Sequence, residues 1–255
     1  MKQPLRNITI SGSVFAALLL LWQYKAKGKI LFLFSSPQHV WCSLVRNTIN
    51  GILPYHTLIT ATEVLVGFFI GSIIGTTIGF LLWYSPLIHR IARPYILIIG
   101  IVPVFTVTPA IILWFGIGIK MKILLAALAT GLLSLTYAYE SASQIDLDEF
   151  RLLKIFGATR AQLLHIIVIP TSLSSVLSSL KLNISFAILG AFVGEFISSS
   201  EGLGYFMLRA GSLYNMADVF AGAIWLILFA LAINVGIYYL QKYRQTIISV
   251  LSVKH

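Results

Sequence analysis

Long apolar runs are the feature that most restricts how this sequence can fold. Five have about the length that a helix needs to cross a hydrocarbon core of about 30 Å: residues 8–24, 58–84, 95–115, 123–139 and 219–240. A sixth run, 182–197, is shorter and contains Asn183 and Glu195. Barrel strands alternate apolar and polar residues and these runs do not, so they predict helices. Only 10% of the residues are charged, against about 25% in soluble domains. We therefore expect an all-α integral membrane protein with six transmembrane helices.

The distribution of basic residues predicts the topology. Six helices place both termini on one side, and more Lys and Arg residues then lie on that side than on the other. This bias predicts cytoplasmic termini, although Lys25, Lys27 and Lys29 oppose it. We expect the chain in the plasma (inner) membrane. The basic flank of the first run resembles a signal sequence, but no small-residue cleavage site follows, so we expect a retained helix. Residues 1–255 then form a single transmembrane domain.

Glycines and prolines suggest how the helices pack. The second run carries four glycines at a spacing of four, Gly67, Gly71, Gly75 and Gly79. Such a face allows another helix to approach closely, either within the chain, which we favour, or between chains. In the third run, Pro103 and Pro109 predict a kinked helix inside the bundle, since neighbours must satisfy the freed carbonyls.

Residues 141–170 contain too many charges for a membrane span. Asp146 and Glu149 have the spacing of a capping box, and so do Thr159 and Gln162. Gly157 suits a left-handed helix end, and a proline at 170 is expected to end the second short helix. The pattern predicts a cytoplasmic helix–turn–helix. It is either an interfacial anchor or a docking element for a cytoplasmic partner.

No pattern typical of catalysis or of metal or nucleotide binding occurs in the sequence. The G-x4-GK[ST] motif is absent, so the chain is not expected to hold ATP itself. The five histidines are scattered, and Cys42 is the only cysteine, which excludes an intramolecular disulfide. The net charge of +10 arises at helix ends rather than along a stripe, which argues against nucleic-acid binding. We expect no enzyme activity, no cofactor and no metal.

Five short stretches, in order, resemble permease subunits of binding-protein-dependent ABC importers. Gly157, nine residues, then Ile167, one residue, and Ile169-Pro170 resembles the G-x9-I-x-L-P loop of that family. The other four resemble its nitrate/sulfonate/taurine branch: SSP at 35–37, VLVGF at 64–68, P-x5-P-x4-WFGIG at 103–118 and GEFISSSEGLGY at 194–205. Together they cover residues 30–245. Two departures are evident: Arg151-Leu152-Leu153 stands where the family has Glu-Ala-Ala, and Glu63 stands where a basic residue is common.

The resemblance implies a set of partners. Two permease subunits, here expected as a homodimer in membrane lipid, would form an alternating-access pathway. Two cytoplasmic ABC ATPases would dock on the 141–170 loop, and an external solute-binding protein would deliver the solute. The residues expected to couple to the ATPases are Gly157, Ala158, Thr159, Arg160, Gln162, Ile167 and Pro170.

Acidic residues inside apolar runs are candidates for the pathway or its gate, because they are costly in a membrane. Glu195 is expected in the interior, in a gate or packing role. Glu63 is the second candidate, with Arg46 or Lys181 as a conceivable partner. Gly202, Gly204 and Tyr205 form a loop that is either a turn with glycines at positive φ or part of an outer gate.

Two other functions remain open at this level. One is a membrane anchor or assembly protein that recruits a cytoplasmic partner. The other is a stand-alone secondary transporter or channel, which would need intramembrane charges for ion coupling, and only Glu63 and Glu195 qualify. The resembled branch handles nitrate, sulfonates, taurine and bicarbonate, and also thiamine-precursor and flavin-like molecules, so the sequence leaves the substrate undetermined.

Overall fold

The computed structural model describes residues 2–26, 33–99, 103–145, 147–197 and 200–252. The described residues are almost entirely helical. The helices are α1 (Lys2–Lys25), α2 (Pro37–Ile49), α3 (Ile52–Tyr84), α4 (Pro86–Ile99), α5 (Thr108–Phe115), α6 (Ile119–Ser143), α7 (Leu147–Ile155), α8 (Arg160–Ile197), α9 (Leu203–Ser212) and α10 (Met216–Ser252). A short 3-10 turn, Val104–Val107, precedes α5.

Four of these helices are long and apolar enough to cross a membrane. They are α3, α6, α8 and, over Met216–Tyr239, α10. They correspond to four of the six predicted spans, and α1 covers the first predicted span as a helix of 24 residues. The predicted third span is not one helix: α4 and α5 are separate, and the chain at Pro103 is extended. The all-α membrane fold is confirmed, while the count of six spans stays a prediction.

The prediction that the third run lies inside the bundle is wrong for α5. Three consecutive residues, Leu113, Trp114 and Phe115, are at least half exposed. The break has a local cause: Pro103 lies at the start of the 3-10 turn and Pro109 in the first turn of α5. Prolines are favoured there because those positions need no backbone donor. Two prolines therefore start new helical segments instead of bending one helix.

Helix α6 forms the centre of the bundle, between α3 and α8. The glycine face of α3 lies against it: a Cβ on Gly67 would come within 2.5 Å of the Ala126 side chain, and one on Gly79 within 2.6 Å of the Leu135 carbonyl. On the other side, a Cβ on Gly190 of α8 would meet the Ala126 backbone at 2.8 Å. Small residues on both faces bring the three backbones close, as in membrane helix pairs. The glycine face thus serves packing within the chain.

Helix α8 runs through Pro170, so the prediction that this proline ends a short helix is wrong. The turn Leu164–Val168 is a π-helical turn, in which the amide of Ile169 bonds to the carbonyl of Leu164. A proline inside an α-helix lacks a donor and clashes with the preceding turn. A wider turn before it relieves both problems. Arg160–Ile197 is consequently one helix of 38 residues.

Candidate functional site

The segment 147–162 projects from one end of the bundle. Helix α7 ends in a Schellman motif, in which Gly157 has φ +82° and its amide bonds to Lys154 O. The amide of Ala158 bonds to Leu153 O, and both hydrogen bonds measure 3.0 Å. Thr159 then caps α8 with the full capping box, its hydroxyl accepting from the Gln162 amide. The second predicted capping box is present, while Asp146 of the first lies outside the described residues.

Three large apolar side chains at the end of α7 are exposed. Leu152, Ile155 and Phe156 are 57%, 82% and 78% exposed, although charged residues surround them in the sequence. Single exposed apolar residues are ordinary, but a contiguous patch marks an interaction site. This α7 tip was missed at the sequence level. The signal was there, since three apolar residues recur just before the helix-ending glycine.

The segment is fixed to the bundle on its other side. The Arg160 guanidinium donates to the carbonyl of Tyr84, the last residue of α3. The rings of Trp83 and Phe150 meet edge-on at 6.1 Å. Ile167 is 9% exposed and Pro170 lies within α8. Of the predicted coupling residues, 157 to 162 therefore lie at the exposed turn, while these two belong to the membrane span.

A cleft of about 390 Å³ opens at this same end, lined in part by His89 and Arg93 of α4 and by Tyr139 and Glu140 of α6. The His89 ring stacks on the Tyr139 ring at 5.2 Å, and the Tyr139 hydroxyl donates to His89 O. Burial, and then the charges of Arg93 and Arg160, lower the pKa of His89 below its ordinary value. Tyr139 is buried.

The opposite end holds a buried polar cluster, which we define as Thr60, Glu63, Lys122 and Glu195 with the backbone of residues 201–204. All four side chains are almost completely buried. Glu63 forms an ion pair with Lys122, which also donates to the carbonyl of Glu201 at 3.2 Å. Neither conceivable partner of Glu63 is correct: the ion pair of Arg46 is with Asp218, and Lys181 is not the partner. Lys122 lies inside α6, one residue before the predicted run 123–139.

Glu195 binds the start of α9. One carboxylate oxygen accepts from the Thr60 hydroxyl at 2.6 Å and the other from the Gly204 amide at 2.7 Å. The Thr60 oxygen accepts from the Leu203 amide at 3.0 Å, and His56 Nδ1 from the Gly202 amide at 3.0 Å. A carboxylate at a helix N-terminus also meets the positive end of the helix dipole.

The two glycines of the GLGY stretch are required for different reasons. Gly202 has φ +110°, a conformation that side chains rarely adopt, as the turn interpretation requires. Gly204 has no such backbone; a Cβ there would lie 2.9 Å from the Glu195 Cβ and 2.8 Å from Phe192 O. Its lack of a side chain makes room for Glu195. Tyr205 lines an open cleft of about 300 Å³ together with His56 and Arg209.

Among the described residues, no group of three or more His, Cys, Asp or Glu side chains is placed to hold a metal ion. The geometry defines a helical membrane protein with an exposed helical tip at one end and a buried charge cluster behind a short helix at the other.

Comparison with known proteins places the chain in a family. The model of the binding-protein-dependent transport system inner membrane component matches residues 67–246. The chain belongs to this family. It is the transmembrane permease subunit of an ATP-driven ABC importer, and ATP hydrolysis resides in separate subunits. Family membership thereby excludes the two other hypotheses, a membrane anchor or assembly protein and a stand-alone secondary transporter or channel.

The relatives agree with the branch predicted from the sequence. A probable ABC transporter permease protein of Haemophilus influenzae is 31% identical, with 88% of this chain and 91% of that protein covered. The formylaminopyrimidine transport permease ThiX of Halalkalibacterium halodurans is 27% identical, covering 81% and 83%. The taurine transport permease TauC of Escherichia coli is 26% identical, covering 93% and 89%.

A solved structure agrees on the fold. The inward-facing MetNI methionine ABC transporter contains a chain that superposes with a TM-score of 0.63 at 16% identity, covering 74% of this chain and 94% of that one. At this identity the match supports the fold and nothing finer. It agrees with the all-α membrane fold.

Proposed function

We propose that α7 and the turn after it are the element on which the cytoplasmic ATPase docks. The observation that carries this is the exposed apolar tip of Leu152, Ile155 and Phe156 on a helix held at a defined angle by Gly157. The tip stands where a family glutamate and alanines are replaced by Arg151-Leu152-Leu153. Apolar contact therefore takes a larger part in docking here than charge pairing does. Gly157, Ala158, Thr159, Arg160 and Gln162 hold the tip rather than contact the ATPase through their own side chains.

Co-purification tests the docking proposal. Ile155→Asp with Phe156→Asp places charges at the tip, and the ATPase should no longer purify with the chain in stoichiometric amount. Leu213→Asp is a matched control, since Leu213 is 69% exposed at the opposite end. Stoichiometric ATPase on the tip variant would refute the proposal and leave α7 as an interfacial anchor.

The same proposal fixes the orientation of the chain. If the α7 end is cytoplasmic, the buried polar cluster lies toward the outside, and so does α2 with the exposed Cys42. A membrane-impermeant maleimide should label Cys42 in intact cells, and Cys42→Ser should abolish the label. Labelling only after permeabilisation would reverse the orientation and contradict cytoplasmic termini.

The outer end serves as the gate in this proposal. Glu195, Glu63, Gly202, Gly204 and Tyr205 hold or form the start of α9, next to the open cleft. A carboxylate is poorly suited to bind an anionic solute, so Glu195 acts by holding the gate helix. Glu195→Ala should leave assembly with the ATPase intact and uncouple ATP hydrolysis from uptake. Normal coupling in that variant would remove Glu195 from the gate.

We propose a homodimer, because two copies are needed to enclose a pathway of the type that this family forms. The long apolar surfaces of α3 and α10, including Ile73 and Ile227, are well exposed in the single chain and suit lipid or a second copy. Mass determination of the detergent complex, with two differently tagged copies co-expressed, tests the pairing. A complex that carries only one tag and a second, different permease would refute it.

The proposed solute is a small molecule of the kind that the relatives' names record, an organosulfonate such as taurine or a thiamine precursor such as formylaminopyrimidine. Selectivity in this reading depends mainly on the external binding protein. Calorimetry of that binding protein should detect one of taurine, an alkanesulfonate, formylaminopyrimidine, riboflavin, nitrate or bicarbonate. Failure of the whole panel would contradict this substrate range while leaving the importer itself unaffected.

A further inference from the structure

The buried polar cluster links four parts of the chain through separate contacts. Lys122 of α6 contacts Glu63 of α3 and the carbonyl of Glu201 before α9. Thr60 of α3 bonds to Glu195 of α8. Every contact therefore crosses between elements, and α3, α6, α8 and the start of α9 are all joined.

The start of α9 is held to the bundle by its backbone amides. Three consecutive amides, those of Gly202, Leu203 and Gly204, donate to His56, Thr60 and Glu195. These amides would otherwise be the unsatisfied donors of a helix N-terminus. If α9 turned away from α3 and α8, all three hydrogen bonds would have to break together, and Glu195 would lose its amide partner inside the bundle.

Charge makes separation more costly. Glu63 and Glu195 are fully buried and the Lys122 side chain is 3% exposed. The Lys122 ammonium is the cation paired with the Glu63 carboxylate, and the Glu195 carboxyl group lies within hydrogen-bonding reach of Glu63. Breaking a buried pair leaves an uncompensated charge, which is strongly unfavourable in a low-dielectric interior. Such a pair is suited to remain closed through a transport cycle.

The far side of α9 is also packed. A Cβ on Gly222 of α10 would lie 2.7 Å from Met207 Cγ and 3.0 Å from the Phe206 ring. Helix α9 is thus held by hydrogen bonds at its start and by close packing on its next turn. Both sets of contacts oppose a movement of α9 away from the bundle.

We propose that Lys122 is a positioning residue for transport, which together with Glu63 locks α3, α6, α8 and the start of α9 into one rigid body. The outer mouth then opens by displacement of this body against the partner copy, and not by α9 swinging on its own. This inference extends the gate proposed above. It makes a prediction about relative motion that does not depend on α9 being the gate.

A cross-link across the cluster tests the rigid body directly. The Tyr55 hydroxyl and the Glu201 carboxylate are 2.8 Å apart at the exposed rim, and they join α3 to the segment before α9. In a Cys42→Ser background, Tyr55→Cys with Glu201→Cys is reconstituted in proteoliposomes together with the ATPase subunits and treated with a short bifunctional methanethiosulfonate reagent. The reagent spans the gap left by the two long side chains, which meet only at their tips. We expect equal cross-link yield without nucleotide and in the ATP–vanadate-trapped state. ATP hydrolysis should be the same before and after reduction with dithiothreitol.

A yield that depends on the nucleotide state, or hydrolysis that returns only on reduction, would overturn the rigid body. The single-cysteine variants control for reaction of the reagent at one cysteine alone. Failure of the gate proposal gives a different result, namely an unchanged cross-link together with normal coupling in Glu195→Ala. The two proposals can therefore fail separately.

Variants that remove or keep the charge of Lys122 test its positioning role. Lys122→Met leaves Glu63 without its cation, so amide exchange of residues 202–204 should accelerate at least about a hundredfold, the factor expected for breaking a buried ion pair. Glu63→Gln added to Lys122→Met removes the isolated charge and should restore much of the protection, and Lys122→Arg should retain it. Unchanged exchange in a Lys122→Met complex that still assembles would refute the positioning role. If that variant does not assemble, the cross-link alone decides the inference.

Discussion

The turn at Gly157 offers the sharpest test of how α7 is held. Gly157 has φ +82°, and the left-handed conformation costs an L residue about 1–2 kcal/mol. Nothing lies within 4 Å of a Cβ built at this position, so steric contacts add nothing and the cost comes from the backbone alone. A loss of about 1–2 kcal/mol raises the population of the opened turn roughly 5–30-fold.

A substitution series separates this backbone effect from side-chain size. Asparagine tolerates the left-handed region best and valine worst, so Gly157→Asn, Gly157→Ala and Gly157→Val should perturb in that order. The readout is amide hydrogen exchange at Gly157 and Ala158, whose bonds to Lys154 and Leu153 form the motif. We expect retention of the ATPase during purification to fall in the same order.

The control is Gly236→Ala, because Gly236 also has nothing within 4 Å of a Cβ but does not have a positive φ. It should leave both exchange and ATPase retention unchanged. Wild-type exchange in Gly157→Val, or an equal effect of asparagine and valine, would show that the left-handed turn does not hold α7.

Three further predictions concern packing and pH. Gly71→Leu should destabilise the chain by about 1–3 kcal/mol or more, because overpacking displaces the α6 backbone. Gly131→Ala should have little effect, since the nearest atom to a Cβ at this position is 3.4 Å away. Thermal unfolding in detergent measures both. Asn183→Ala should cost about 0.6–1.7 kcal/mol, since Asn183 donates to a buried serine of α6 across the helices, while Ser185→Ala should cost less because Ser185 bonds only within its own helix. The lowered pKa of His89 means that the folded state binds fewer protons than the unfolded state as pH falls through about 6.5, so stability should decline on acidification in that window. His89→Gln should flatten the pH dependence of the melting temperature. An unchanged slope would contradict this role of His89.

Features encoded by local periodicity could be read from the sequence. The four-residue spacing of Gly67 to Gly79 indicated a close-packing face, and the capping box at Thr159 and the helix end at Gly157 were found where expected. Each depends on residues within one or two turns of each other. Helix α3 begins six residues before the predicted run 58–84 and ends with it, and α6 extends four residues beyond each end of the run 123–139.

Long-range pairing and backbone compensation could not be read in this way. Lys122 stands just before the predicted run 123–139, where a charge normally marks the membrane boundary. Its partner Glu63 lies on another helix, and no local pattern connects the two. Pro170 was expected to stop a helix, and the π-helical turn that accommodates it leaves no signature in the sequence. The requirement for Gly204 likewise depends on the Glu195 side chain, which reaches it only in the folded chain.

The continuity of α8 through Pro170 has a mechanical consequence. At 1.5 Å per residue its 38 residues span about 57 Å. One stiff helix therefore joins the turn beside α7 to Glu195, which lies near the other end of α8 and binds the start of α9. A tilt of only about 5° about one end of such a rod moves the other end by about 5 Å, nearly one helical turn. Had Pro170 ended the helix, a flexible joint would absorb that displacement before it reached the far side of the membrane. The π-helical turn therefore preserves the leverage by which a small rotation at the α7 end becomes a large displacement at the opposite end of α8.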